Sequence, residues 1–150
     1  MERLISFLNI DDQARQDAKA VWSLIEDYTD EIMRDFYADI RRVDPALIDG
    51  DTIDRLATKQ KEHWKSLLND ELDQSLFNRM SLVGIKHREV GLDPKWYIAG
   101  YHKIKLRFSG HILASPLSVA KKISLVSTLD RFVALDMALA LSSYSSWLVD

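Results

Sequence analysis

The stretch VGIKHREVGLDPKWYIAGY, residues 83–101, contains the best-specified turn of the chain. Gly91 can adopt the left-handed conformation that commonly ends a helix, and Leu92 can then fold back onto the last helical turn. The pair Asp93-Pro94 is typical of a helix start, because aspartate caps well and proline suits the first position. The stretch therefore predicts a helix that carries His87 close to its end, a sharp corner and a second helix.

Outward from this corner, apolar residues recur at helical spacing, and the alternation typical of strands is weak. The sequence contains no internal repeat, no low-complexity stretch and no linker, so we predict one all-α domain over residues 1–150. The predicted helices cover residues 11–25, 27–43, 52–69, 72–90, 94–114 and 116–148, with Asp51 or Thr52 as the cap of the third.

Composition excludes several classes of function. The 20 Lys+Arg against 23 Asp+Glu give a net charge of −3, which argues against nucleic acid or an anionic membrane surface as the main partner. The absence of cysteine excludes a disulfide scaffold, a thiolate metal site, a catalytic thiol and a covalently attached haem. No apolar run approaches the length of a membrane span, and no signal peptide is present, so we expect a cytoplasmic protein without membrane insertion.

The histidines show no paired metal-ligand spacing, so a zinc or di-iron site is poorly supported. His87 differs from the others because Val83 and Met80 precede it on one helix face. Gly84, beside that face, lowers helix stability, which the close approach of a flat group or another backbone would explain. Periodicity alone favours a core histidine, although a haem would need the same features: one imidazole on a helix, an apolar slot and no thiol.

These residues closely resemble the signature of globin-coupled sensors and protoglobin-like domains. Residues 83–101 carry most of the resemblance, Phe36-Tyr37 resembles the distal aromatic pair of that family, and residues 60–64 (QKEHW) resemble its distal-helix segment. The resemblance extends from about Leu4 to Trp147. It implies a globin fold, a three-over-three helical sandwich without the short D helix, with a non-covalently held b-type haem and a gas-sensing role.

The resemblance also implies the roles of individual residues. His87 corresponds to the proximal iron ligand, and Tyr37 to a distal tyrosine whose hydroxyl can hydrogen-bond the gas. Trp96 and Tyr97 correspond to aromatic residues below the haem that constrain the histidine. The other residues expected at the haem are Phe36, Leu56, Met80, Val83 and Leu92.

The distal helix leaves a choice, because some family members have a small hydroxyl residue there and the candidates here are Thr58, Lys59 and Gln60. Gln60 lies on the apolar stripe, one turn beyond Leu56, and Lys59 lies off its edge. We expect Gln60 to face the cavity and Lys59 to reach a haem propionate or solvent. An ordinary interhelical hydrogen bond of Gln60 is an equal alternative.

The remaining polar residues are expected in plain structural roles. We expect His63 to pack or face solvent rather than touch the gas, and His102 and His111 to lie on the surface. The acidic residues are expected mostly on solvated faces.

The last predicted helix is apolar on more than one face, which favours a second contact beyond its own core. We expect a homodimer through the last two helices, as the resemblance also implies. We then expect the chain to be the N-terminal sensor domain of a longer signalling protein, because Tyr144, Trp147 and Leu148 would be unusual at a free terminus. The expected ligand is O2, with CO or NO as further candidates, and the expected output is a chemotaxis transducer or a diguanylate cyclase.

Two other functions stay open at this stage. A globin enzyme handling nitric oxide or peroxide would need an external reductase, because the chain has no dinucleotide motif such as G-x-G-x-x-G. A helical interaction module without cofactor would keep His87 in its core. We expect the sensor domain itself not to be an enzyme.

Overall fold

The structure, a computed structural model, describes residues 1–142. No strand occurs in these residues, so the all-α prediction is confirmed. The predicted end of the last helix, with Tyr144, Trp147 and Leu148, lies outside the described part. The helices are α1 (Glu2–Phe7), α2 (Asp12–Val43), α3 (Ile53–Asn69), α4 (Gln74–Glu89), α5 (Pro94–Ala114) and α6 (Val119–Ser142), and a 3-10 turn at Gly50–Thr52 precedes α3.

The corner between α4 and α5 forms as predicted. Gly91 has a φ of 78°, and the N–H groups of Gly91 and Leu92 donate to the carbonyls of Arg88 and His87, each at 3.0 Å. This is the Schellman arrangement, which satisfies carbonyls at the end of a helix. The Asp93 carboxylate accepts from the N–H of Lys95 at 2.9 Å and caps α5. The direction of the last turn of α4 is therefore fixed by backbone hydrogen bonds.

The predicted break between residues 25 and 27 is wrong, because α2 is one continuous helix of 32 residues. No glycine or proline occurs within it, and the Thr29 hydroxyl donates to the Ile25 carbonyl at 2.9 Å across the expected break. The short α1 was not predicted. Helices α4 and α6 begin later than expected, where Asp73 and Ser118 accept hydrogen bonds from backbone N–H groups of the first turn.

Helix packing separates the two helices that carry the site. Helix α3 packs mainly on α2, whereas α4 packs on α6, and α2 and α6 also contact each other and α5. Trp64, Phe108 and Phe132 are among the largest fully buried side chains of the core. As a result, the Gln60 helix and the His87 helix are held by different neighbours. Within residues 1–142, no helix is both long enough and apolar enough to cross a membrane.

Candidate functional site

His87 lies in the last turn of α4 and is half-buried. Its Nδ1 is 2.8 Å from the Val83 carbonyl oxygen. Because a carbonyl only accepts hydrogen bonds, Nδ1 carries the proton and Nε2 carries the lone pair. Burial lowers the pKa of His87 below its ordinary value, although the bond to Val83 acts in the opposite direction. The side chain is therefore a neutral imidazole of defined tautomer.

The α5 aromatics expected beside His87 differ in their positions. The Tyr97 ring packs edge-on against the His87 imidazole, with 5.1 Å between ring centroids, and is buried. Trp96, by contrast, is 44% exposed and lies on the surface. Leu92 packs against the core from the corner. The structure thus brings Tyr97, and not Trp96, to the histidine.

The apolar residues expected on α4 lie on the His87 side of that helix at helical spacing. Met80 is buried, Val83 is half-buried, and Gly84, the residue after Val83, is also buried. This face therefore stays apolar up to the imidazole.

Tyr37, on α2, is buried and hydrogen-bonded to Gln60 of α3. Burial raises the pKa of Tyr37 to about 12, and the hydrogen bond with the Gln60 side chain opposes this rise. The Tyr37 hydroxyl therefore keeps its proton at neutral pH, and a protonated phenol can both donate and accept hydrogen bonds.

Of the three candidates on α3, only Gln60 turns inward. Thr58 and Lys59 are exposed, and the Thr58 hydroxyl donates to the Asp54 carbonyl at 3.0 Å. Leu56, one turn before Gln60, packs against the core.

Phe36 also lies beside Tyr37, with 5.1 Å between ring centroids. A Cβ added at Gly100 of α5 would lie 3.1 Å from Phe36 Cζ, so the absence of a side chain there admits the ring.

A buried carboxylate that the sequence analysis did not single out lies behind His87. Asp136 of α6 is fully buried, although acidic residues were expected mostly on solvated faces. Its Oδ2 accepts a hydrogen bond from the Tyr101 hydroxyl and lies 2.7 Å from His63 Nε2. The Tyr97 hydroxyl donates to the Tyr101 hydroxyl at 3.1 Å. An aspartate within the apolar run of residues 132–141 was the signal that could have identified it.

The other histidines have structural partners or face solvent. His63 packs edge-on against Trp64 and pairs with Asp136, as expected for a packed residue. His102 is exposed as predicted, whereas His111 is half-buried and stacks on Tyr28 with 4.0 Å between ring centroids. No group of three or more metal-ligating side chains occurs within residues 1–142.

The family model of protoglobin matches residues 1–148. The chain belongs to the protoglobin family. A comparison with curated proteins finds no match.

Solved structures confirm the globin fold of this protoglobin. It is similar to the globin domain of the Geobacter sulfurreducens globin-coupled sensor, with a TM-score of 0.80 and 14% identity over 96% of this chain and 97% of that one. The globin domain of E. coli DosC in its ferric form gives a TM-score of 0.76 and 16% identity over 93% of this chain and 95% of that one. No α-helix separates Val43 from Ile53, in keeping with the predicted lack of a D helix.

The side chains of this protoglobin fit a haem. A haem iron held by histidine needs a neutral imidazole nitrogen with an available lone pair, and the bond from Nδ1 to Val83 leaves Nε2 in that state. The buried Met80 and half-buried Val83 give the same face of α4 an apolar surface. The chain has no cysteine, so only non-covalent attachment suits it.

Proposed function

We propose that this protoglobin is a haem-based oxygen sensor domain that holds a b-type haem between His87 and Tyr37. The observation that carries the proposal is the hydrogen bond from His87 Nδ1 to Val83, because it presents the Nε2 lone pair of a neutral imidazole. Family membership supports the same assignment. When bound, a haem would supply an iron with an open position for a diatomic gas.

In this proposal the chain's own side chains hold and orient the cofactor. His87 binds the iron through Nε2, and Tyr97 packs against its ring and restricts its rotation. Lys59, exposed on α3, is free to reach a propionate. The apolar contacts come from Phe36, Leu56, Met80, Val83 and Leu92.

Tyr37 is proposed to select the gas. Its raised pKa keeps the phenol protonated, so its O–H can serve as a hydrogen-bond donor to the gas. Bound oxygen is more polar than bound carbon monoxide, and a donor therefore favours oxygen. Carbon monoxide and nitric oxide are the further candidate ligands.

A sensor role is favoured over an enzyme role by the similar structures, which include the globin domain of a globin-coupled sensor. We propose that the ligation state is passed to a signalling domain, such as a chemotaxis transducer or a diguanylate cyclase, linked to this domain or downstream of it.

The route to such an output is proposed to be a homodimer interface formed by α5 and α6. Four apolar side chains of these helices are more than half exposed, and contact with a second copy of the chain would cover them. They are Leu106 at 69%, Leu113 at 58%, Val119 at 73% and Ile123 at 61%.

Sedimentation of the purified protein tests the interface and should give a dimer for the unmodified chain and a monomer for Ile123→Glu. Phe7→Glu, at an apolar residue 81% exposed on α1, should remain dimeric. A dimeric Ile123→Glu variant would contradict this interface.

The visible spectrum of the purified, haem-supplied chain tests the cofactor proposal. Reduced protein should show a five-coordinate haem that changes on exposure to oxygen and carbon monoxide. His87→Ala should lose most of the haem or leave it weakly ligated, whereas His102→Ala, at an exposed histidine, should match the unmodified chain. An unchanged haem spectrum in His87→Ala would remove His87 from the iron.

A further inference from the structure

A continuous buried contact path joins His87 to Asp136. The His87 ring packs against Tyr97, the Tyr97 ring packs against Tyr101 with 4.9 Å between centroids, and the Tyr101 hydroxyl reaches Asp136. Tyr97 and Tyr101 are 6% and 8% exposed, and Asp136 is 0% exposed. The path therefore crosses from α4 through α5 to α6 inside the core.

The hydrogen bonds along this path have one direction. The Tyr101 hydroxyl donates a hydrogen bond to Asp136 Oδ2. The Tyr101 oxygen then accepts from the Tyr97 hydroxyl. The hydroxyl groups of Tyr97 and Tyr101 thus both donate in the direction of α6. The His87 Nδ1–H donates to the Val83 carbonyl, which leaves Nε2 unprotonated.

A buried carboxylate at this place is costly for the fold. Its Oδ1 is buried without a hydrogen-bond partner among the described residues, and an apolar side chain of similar size often serves a core equally well. Packing alone therefore does not account for an aspartate, whereas its polar partners do, because Asp136 pairs with His63 and also accepts from Tyr101. A strong acceptor at the end of the two hydroxyl groups gives their hydrogen bonds one direction.

We propose that Asp136 is a positioning residue for His87, which it orients through the hydroxyl groups of Tyr101 and Tyr97. The inference rests on the proposed function in one respect, that His87 Nε2 is the iron ligand. Its physical content, the orientation of the His87 ring, belongs to the chain itself. At metal sites generally, the residues around a histidine ligand set the orientation of its ring.

The first test uses the chain without haem. Long-range ¹H–¹⁵N NMR of the histidine rings should show His87 neutral, with the proton on Nδ1. In Asp136→Asn and Tyr101→Phe the ring signals of His87 should shift, because the Tyr97 ring that packs against the imidazole is no longer held in place. Tyr101→Phe keeps the ring and leaves Asp136 paired with His63, so it provides a folded variant if Asp136→Asn does not fold.

The matched control is Asp17→Asn. Asp17 is also a buried aspartate, at 2% exposure, but its partners are Lys121, Ser124 and Gln13, away from the His87 path. Its replacement should lower stability and leave the His87 signals unchanged. Unchanged His87 signals in both path variants, or an equal shift in Asp17→Asn, would overturn the proposal.

The second test uses the haem-loaded chain. The iron–histidine stretching band of the reduced protein should move to lower frequency in Asp136→Asn and Tyr101→Phe, and stay in place in Asp17→Asn. A chain that takes up no haem would contradict the proposed function, and the NMR test would still decide the inference. Haem uptake with an unmoved band in both path variants would overturn the inference and leave the proposed function standing.

Discussion

Tyr37 is hydrogen-bonded to Gln60, and its buried phenol keeps its proton because burial raises its pKa. A protonated phenol can donate one hydrogen bond and accept others. The bond also joins α2 to α3, so Gln60 makes the interhelical hydrogen bond that was one of the two expectations. That Gln60 also faces the gas cavity stays a prediction.

Replacing Tyr37 with Phe should speed oxygen release by up to about tenfold, because a neutral hydrogen bond contributes about 0.5–1.5 kcal/mol. Carbon monoxide release should change little. Stopped-flow measurements on the haem-loaded chain would determine both rates. The control is Tyr28→Phe, at an exposed tyrosine stacked on His111, which should leave both rates unchanged. Equal effects of Tyr37→Phe on the two gases would remove Tyr37 from the selecting role.

Replacing Gln60 with Leu should also speed oxygen release, by less than Tyr37→Phe, because the phenol loses the partner that holds it in place but keeps its own proton. Lys59→Ala, one residue away and exposed, should release oxygen as the unmodified chain does. Oxygen dissociation measured by ligand displacement distinguishes the two variants. An unchanged rate in Gln60→Leu would show that the bond to Tyr37 is only structural.

The sequence singled out Gln60 and overlooked Asp136, although both are polar residues on largely apolar helix faces. Gln60 was recognisable because its stripe alternates clearly with charged residues. Helix α6 is apolar on more than one side, so its face is poorly defined from spacing, and the burial of Asp136 depends on Tyr101 and His63 from two other helices. Contacts between distant segments of the chain cannot be obtained from the periodicity of one helix.

At the scale of elements, the corner at Gly91 was predictable because its signals are local. A left-handed glycine, an aspartate cap and a proline at the first helical position act within a few residues. The continuity of α2 was not predictable in the same way, since Asp27 resembles a cap in sequence. It lies exposed in mid-helix, and the packing of Ile25 and Thr29 on either side keeps the helix unbroken.

Two glycine replacements should have opposite effects on stability. Gly91→Ala should lower the free energy of unfolding by about 1–2 kcal/mol, because its φ of 78° is unfavourable for a residue with a Cβ. Gly110→Ala, within α5, should raise it by about 0.5–1 kcal/mol, since a Cβ there meets no atom of the described residues within 4 Å. Urea denaturation of the haem-free chain measures both. A stabilising Gly91→Ala would contradict the Schellman corner.

At the scale of the whole molecule, Asp136 connects three helices that are far apart in sequence. It accepts from Tyr101 of α5, lies on α6 and pairs with His63 of α3. Burial alone lowers the pKa of His63, but the Asp136 carboxylate outweighs this effect and raises the pKa above its ordinary value. His63 therefore binds its proton more strongly in the folded chain than in the unfolded chain.

The contribution of His63 to stability should depend on pH. A raised folded pKa means that the contribution is complete below the unfolded value of about 6.5 and is lost as the pH rises through the folded pKa. The difference in unfolding free energy between the unmodified chain and His63→Gln should shrink as the pH rises from about 6.5 through the folded pKa of His63. Burial raises the pKa of Asp17, but the hydrogen bonds from Lys121 and Ser124 lower it by more, so its pKa lies below the ordinary value. Asp17→Asn should therefore differ from the unmodified chain by a constant amount over this range. A constant difference for His63→Gln as well would contradict the ion pair.

The unbroken course of α2 has a mechanical consequence. Tyr37 and Ala14 lie on the same helix 23 residues apart, which corresponds to roughly 35 Å of rigid rod at 1.5 Å per residue. Without a joint between them, a tilt of about 3° at the Tyr37 end displaces the other end by roughly 2 Å over that length. Ala14, at that end, belongs to the same core cluster as Ile10, which lies just after α1. A small tilt of α2 near the phenol thus produces a larger displacement at the far end of the helix.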